Sequence, residues 1–280
     1  MNSSMSVYES GRTRLCYRAT GAELPVVFLH PTPLDHVYWR PLTDNLAGVR
    51  AIVPDLRGHG CSQVGDALEV GGFPAVPYAL VLGIGQLAKD VLTLLDHLQI
   101  PEAVLVGSSI GGYVALEIWR QAPERVRGLA FVCSKPQPDT ETNQLRRATT
   151  IDRIRAGEIE EIFDEMAQSL IGPTARERRP EIVAELRARM TLTPETLIAV
   201  QAGLATRPDS RTTIRTITVP VLAVAGGEDP GVTPEEMQAF SYAPGGFEFH
   251  LLPDAGHMAA YEQPEKVASL LAEWLRQMDV

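Results

Sequence analysis

Short apolar runs rich in branched residues alternate along this chain with longer stretches of helical period, and the runs end at glycine, proline or polar turns. They are VVFL (26–29), AIV (51–53), AVLV (103–106), GLAFV (128–132), VPVLAVA (219–225) and FEFHLL (247–252). Unbroken apolar runs suit strands buried on both faces, and the helical stretches between them suit crossovers, so an α/β fold with a mostly parallel sheet is expected. Helices are expected at 36–47, 85–98, 111–121, 235–242 and 264–278, the last opening on Pro264, a residue suited to a first helical turn. The opening MSVYESGRTRLCYRATG reads as a hairpin turning at Ser10-Gly11, which puts an antiparallel edge ahead of the parallel strands.

The rhythm breaks between about 136 and 215. No strand pattern appears there. LRRATTIDRIRAG, EIEEIFDEMAQSL, EIVAELRARM and PETLIAVQAGLA all have helical character, and Pro136, Pro138, Pro173, Pro180, Pro194 and Pro208 punctuate them. The excursion would leave the sheet at its carboxyl edge, where open α/β sheets bind ligands, so a helical cap over a site is expected. The organisation is then a core from 1–135 and 216–280 with a cap at 136–215. Within the cap, Met166, Leu170, Met190 and Leu197 are expected to pack helices together rather than touch a ligand.

Apolar residues make up 45% of the chain and charged residues 21%, enough for a sizeable core. The net charge of −10 argues against nucleic acid as a partner, because phosphate backbones are held through basic patches. Cys16, Cys61 and Cys133 are widely spaced, odd in number and form no Cys-x-x-Cys pair, so buried thiols are expected rather than a disulfide framework or a zinc site. MNSSMSVYES has no basic segment leading into an apolar run, and no stretch reaches membrane-span length, so a cytoplasmic protein without a membrane partner is expected. Oligomeric state leaves no signal in the sequence.

The chemistry concentrates at Gly107-Ser108-Ser109-Ile110-Gly111-Gly112, between the AVLV run and the helical YVALEIWRQ. Strand, tight turn and helix form the context of a nucleophile elbow, in which strand and helix approach so closely that the residues two before and two after the serine must be tiny. Centring on Ser109 puts Gly107 and Gly111 there, whereas Ser108 would require Val106 and Ile110. Ser109 is therefore the candidate nucleophile. Neither a P-loop lysine nor a Gly-x-Gly-x-x-Gly spacing is present, so no nucleotide cofactor is expected.

A serine hydroxyl needs an imidazole to take its proton and a carboxylate to orient that imidazole. Only His250 and His257 follow Ser109; His250 falls inside FEFHLL, whereas His257 lies in the loop beyond it. His257 is the candidate base. Asp229, just past VPVLAVA, is the candidate acid, with Glu228 and Asp254 as neighbours able to replace it. For the oxyanion hole, the backbone N–H groups of Ile110 and of the turn after VVFL are the candidates; Pro31 has no N–H, which leaves Thr32.

With LHPTP, PDLRGHGCS, VGSSIGGY, APERVRGLAFV, VPVLAVAGGEDP and DAGHMAAYEQPE, the chain resembles the α/β-hydrolase superfamily over almost its whole length. It is most similar to the bacterial lactonases and esterases that include 3-oxoadipate enol-lactonases. The chain departs from the superfamily in carrying His30-Pro31 where His-Gly is usual, and in an Asp229-to-Pro234 spacing one residue longer than usual. The resemblance implies a Ser109-Asp229-His257 hydrolase of a small to medium, partly apolar ester or lactone, with no metal or cofactor. Carbon-carbon bond hydrolases, perhydrolases and small-molecule receptors share the scaffold and stay open. Asp55, Arg57 and His59 read as structural turn residues. Pocket-lining candidates are His30 and Pro33, with Phe73 and Tyr78 from the long 63–85 connection, which reads equally as a surface loop with its own apolar cluster.

Overall fold

The computed structural model describes residues 5–66 and 68–278. Ten strands form: β1 (Ser6–Ser10), β2 (Thr13–Thr20), β3 (Leu24–Leu29), β4 (Val49–Pro54), β5 (Glu69–Phe73), β6 (Val76–Val81), β7 (Ala103–Ser108), β8 (Val126–Val132), β9 (Val221–Gly226) and β10 (Phe247–Leu252). Eight of them make one sheet in the order β1-β2-β4-β3-β7-β8-β9-β10, parallel except at β1-β2 and β2-β4. All six apolar runs are strands of it. β7 and β9 are buried at every residue, as expected of strands covered on both faces.

The helices are α1 (Arg40–Thr43), α2 (Ile84–His97), α3 (Ile110–Gln121), then α4 (Glu141–Arg155), α5 (Ile159–Leu170), α6 (Pro173–Arg178), α7 (Glu181–Arg187), α8 (Pro194–Ala205) and α9 (Arg211–Ile214) between β8 and β9, and finally α10 (Pro234–Met237), α11 (Ala259–Glu262) and α12 (Pro264–Gln277). The helix expected at 36–47 is instead a 3₁₀ turn, His36–Trp39, running into α1. Pro41 has no N–H to give Val37, and Arg40 donates to the Val37 carbonyl with the tighter spacing. α1 then stops at Thr43, ahead of Gly48 with its positive φ of 78°. The stretch 235–242 likewise divides into α10 and a 3₁₀ turn, Gln238–Tyr242. Among the described residues no helix is long and apolar enough to cross a membrane.

β3 sits between β4 and β7, so the chain leaves β3 on one side and returns past it on the other. Loops from such a switch point diverge and leave a crevice at the carboxyl ends. The turns after β3 and β7, which carry Thr32 and Ser109, border that crevice.

Two expectations change. The 63–85 connection contains the hairpin β5-β6, with Phe73 opposite Val76 across its turn. Its prolines and glycines hide the strand pattern in the sequence. Phe73, Val76 and Val81 pack on Ala148 and Ile151 of α4 and Ala202 and Ala205 of α8, so Phe73 anchors the hairpin to the helical insertion. Tyr78 is 82% exposed.

Cys16 and Cys61 form a disulfide; Cys133 is free and buried. Antiparallel pairing of β2 with β4 brings the turn after Pro54 back beside Cys16, so 45 residues of separation become 5.9 Å between Cα atoms. Spacing in sequence could not reveal this. Closing a loop of that length restricts the unfolded chain by an amount on the order of 2–4 kcal/mol. Dithiothreitol is accordingly expected to lower Tm by about 5–10 °C. Thiol titration of unfolded protein should give one reactive group before reduction and three after it; three before reduction would rule the bond out.

Candidate active site

Ser109 occupies the turn between β7 and α3 with φ 51° and ψ −117°, a conformation costly for a residue with a side chain. The neighbours show why the turn needs glycine. A Cβ on Gly107 would lie 2.4 Å from the backbone of Gly111 and Gly112, and one on Gly111 would lie 2.1 Å from the Leu29 carbonyl oxygen. Ser108 points the other way: it is fully buried, and its hydroxyl lies 3.0 Å from the Tyr38 hydroxyl.

Asp229 follows β9 and His257 follows β10, adjacent parallel strands whose ends are in register at Gly226 and Leu252. The His257 Nδ1–H donates to Asp229 Oδ2 at 2.7 Å. Asp229 Oδ1 accepts from the N–H groups of Gly231 (2.8 Å) and Val232 (3.1 Å), so the longer loop to Pro234 folds around the carboxylate. Burial disfavours the Asp229 charge, but His257 and these donors outweigh it and hold its pKa below the usual carboxylate value. Burial alone would lower the His257 pKa; the Asp229 charge and hydrogen bond reverse the balance and raise it.

The other two acids point elsewhere. Glu228 accepts from the Thr174 N–H (2.9 Å) and hydroxyl, and Asp254 pairs with Arg178 at the surface. His250 lies on β10 against Glu248. A buried carboxylate absent from the sequence reading, Glu262, orders the His257 loop by accepting from Gly172 (3.1 Å), Gly256 (2.9 Å) and Met258 (3.2 Å) N–H groups. The His257 N–H itself donates to the Leu170 carbonyl at the end of α5. The insertion thus braces the loop that carries the imidazole.

Thr32 is held from below. The His59 ring gives Nδ1–H to the Arg57 carbonyl and accepts the Thr32 hydroxyl at Nε2, each at 3.0 Å. The Thr32 N–H has no acceptor among the described residues, and the Ile110 N–H lies in the first turn of α3, where backbone donors lack helical partners.

Thr32, Ser109 and His257 open into one cavity of about 430 Å³, closed on its far side by α4, α5 and the end of α8. A larger groove of about 710 Å³ beside Arg18 and Asp44 contains none of these residues. His30, Pro33, Phe73 and Tyr78 do not line the cavity. His30 is instead fully buried as a strut: Nε2 accepts the Leu56 N–H at 2.9 Å, and burial with the neighbouring His59 lowers its pKa to about 3. Pro33 is buried in the same turn. Met166 and Leu170 do reach the cavity, while Met190 and Leu197 stay in the core.

The wall the sequence reading missed is basic: Lys135, Arg146, Arg147, Arg153 and Arg207 line the cavity with Asp139 and Glu165. Asn143, Arg146, Arg147, Thr150 and Arg153 recur at helical spacing along α4. That period is visible in TETNQLRRATTIDRIR once one knows which face meets the cavity. As for a metal, Asp35, His36 and Asp55 come within 4.8 Å of one another, away from this cavity. Asp55 already accepts from the His36 N–H and ring and from the Cys61 N–H, which fits a braced turn better than a metal centre.

Residues 26–270 match the model of the "Alpha/beta hydrolase family". The chain belongs to that family. It is 32% identical to a thermophilic esterase from Thermogutta terrifontis solved with malate bound, covering 99% of this chain and 98% of that one at a TM-score of 0.86. Among curated relatives, 3-oxoadipate enol-lactonase 2 of Acinetobacter baylyi is 29% identical over 75% of this chain and 73% of its own length. The 2-succinyl-6-hydroxy-2,4-cyclohexadiene-1-carboxylate synthase of Enterobacter sp. is 28% identical over 90% and 91%.

Proposed function

We propose that this α/β hydrolase cleaves a carboxylic ester or lactone through an acyl-enzyme on Ser109. The observation that carries the reading is the 2.7 Å Asp229–His257 bond, opening into the same cavity as the strained Ser109 turn. With Nδ1–H given to Asp229, the His257 Nε2 is left as the acceptor for the Ser109 proton. Ser109 Oγ then attacks the carbonyl carbon, and the oxyanion takes the N–H groups of Thr32 and Ile110. Collapse expels the alkoxide with the proton returned from His257. Water, deprotonated by His257, releases the acid and regenerates Ser109. The helices between β8 and β9 act as a cap that shapes the cavity and limits its water.

The esterase and enol-lactonase relatives favour this reading. The synthase relative marks how the same family also serves other chemistry, so the test must detect the nucleophile itself. A fluorophosphonate probe is expected to label the wild type at Ser109, identified by peptide mass, and to leave folded Ser109→Ala unlabelled. Absence of labelling on folded wild type would remove the acyl-enzyme reading. Labelling without turnover of any aryl ester or lactone would confine the error to the substrate class.

A further inference from the structure

We infer that the substrate carries a carboxylate remote from the scissile bond, received by Arg146 with Arg147 on the α4–α8 side of the cavity, where Asp139 and Arg207 hold Arg147 in place. The inference rests on the hydrolase reading above and names its substrate class. A protein with net charge −10 has no general reason to collect cations in one place. Yet this cavity is lined by five cationic side chains and two carboxylates.

The pairing of those charges locates the surplus. Lys135 is taken up by Glu236 (2.6 Å) and the Gly231 carbonyl (3.2 Å), where it steadies the loop that follows Asp229. Arg153 is taken up by Glu158 and Glu165. Asp139 is shared between Arg147 and Arg207, so that trio retains one positive charge. Arg146 has no acidic partner among the described residues and is exposed to the cavity. The two carboxylates on Arg153 leave one negative charge at that end of α4, so the lining keeps one positive charge net, with the two positive charges of Arg146 and the Asp139 trio gathered on the α4–α8 side.

Arg207 holds the trio in place. It is 5% exposed, stacks over the Tyr113 ring at 4.5 Å, and donates to Asp139 and to the Leu204 and Gln137 carbonyls. Arg147 is aimed by a 2.7 Å bond from Nη1 to Gln201 Oε1. Guanidinium forks match the planar, two-oxygen geometry of a carboxylate. Ile162, Met166 and Leu170 of α5 add an apolar stretch to the lining of the same cavity. The fitting ligand has an ester or lactone carbonyl at Ser109, a short apolar stretch, and a carboxylate at the arginines.

Two acyl donors of equal length separate charge from shape: p-nitrophenyl valerate and mono-p-nitrophenyl glutarate, corrected for uncatalysed hydrolysis. Wild type is expected to favour the glutarate hemiester by at least about 10-fold in kcat/KM, and Arg146→Met to cut that ratio by about 10-fold, chiefly through KM. Arg146→Lys should recover part of it. A wild-type ratio of one or less, or a ratio unchanged by Arg146→Met, overturns the inference. Calorimetric titration of glutarate into Ser109→Ala, with and without Arg146→Met, reads the anion site without turnover; the second variant should bind at least about 5-fold more weakly. Glutarate binding that depends on Arg146, with neither ester cleaved and no fluorophosphonate labelling of folded wild type, would sink the hydrolase reading and keep the anion site. Valerate turnover with no glutarate preference and Arg146-independent binding would do the reverse.

Discussion

Asp229→Asn is expected to lower kcat on any ester substrate by about 10⁴-fold, equivalent to about 5.5 kcal/mol of barrier, while leaving the fold intact. The reason lies in how the carboxylate is held. Oδ1 faces the Gly231 and Val232 N–H groups, and Oδ2 faces His257. An asparagine keeps those two backbone donors satisfied only by putting its carbonyl oxygen in the Oδ1 position. Its NH₂ then points at His257 Nδ1 and donates to it. The imidazole is forced to carry its proton on Nε2, the atom that accepts from Ser109 in the proposed mechanism.

The pH profile gives the same substitution a second readout. In the proposed mechanism His257 must be neutral to act as base, and its pKa is raised above the usual histidine value, since Asp229 overcomes burial. Wild-type kcat/KM should therefore rise with pH along a limb whose midpoint lies above 6.5. Removing the negative charge leaves burial in control, so the limb of the Asp229→Asn residual activity moves to lower pH. Equal limbs in the two proteins, or a rate loss under 10-fold, would mean that Asp229 does not govern His257.

Much of this geometry is legible in the sequence because the elements that build it are local. Each apolar run becomes a strand of the main sheet, and Ser109, Asp229 and His257 each follow the carboxyl end of one of those strands. A parallel sheet brings such loops to one edge whatever their spacing along the chain. What stays hidden depends on the third dimension. The Cys16–Cys61 bond requires the β2-β4 pairing, and the β5-β6 hairpin gets its partners from α4 and α8, far along the chain. The basic wall needs the orientation of α4, a helix polar enough around its circumference that its pattern does not announce which face turns inward. Glu262 is one acidic residue among many until its three backbone donors converge on it.

The largest loss of stability is expected from Asp90→Asn, about 3–5 kcal/mol by urea denaturation. Asp90 lies on the buried face of α2 and accepts two bonds from Arg57, at 2.6 and 2.7 Å, one from Ser10 at 2.7 Å and one from Gln86 at 3.0 Å. Arg57 also donates to Thr13 at 2.7 Å and to the Val64 carbonyl at 3.0 Å, so the pair ties the β1-β2 hairpin, the turn after β4 and α2 together. Neutralising Asp90 leaves a guanidinium in the core facing an amide that offers donors where it had found acceptors. Replacing both partners by apolar residues, as in Arg57→Met with Asp90→Leu, removes the orphaned charge and should cost less than the single change. Function follows through the same turn, because the Arg57 carbonyl fixes the His59 ring, and that ring fixes the Thr32 hydroxyl. Folded Asp90→Asn protein is then expected to lose kcat with little change in KM, as befits loosening of Thr32, the proposed oxyanion donor, rather than a damaged binding wall. A single substitution milder than the double one would show that the ion pair contributes through neither charge nor position.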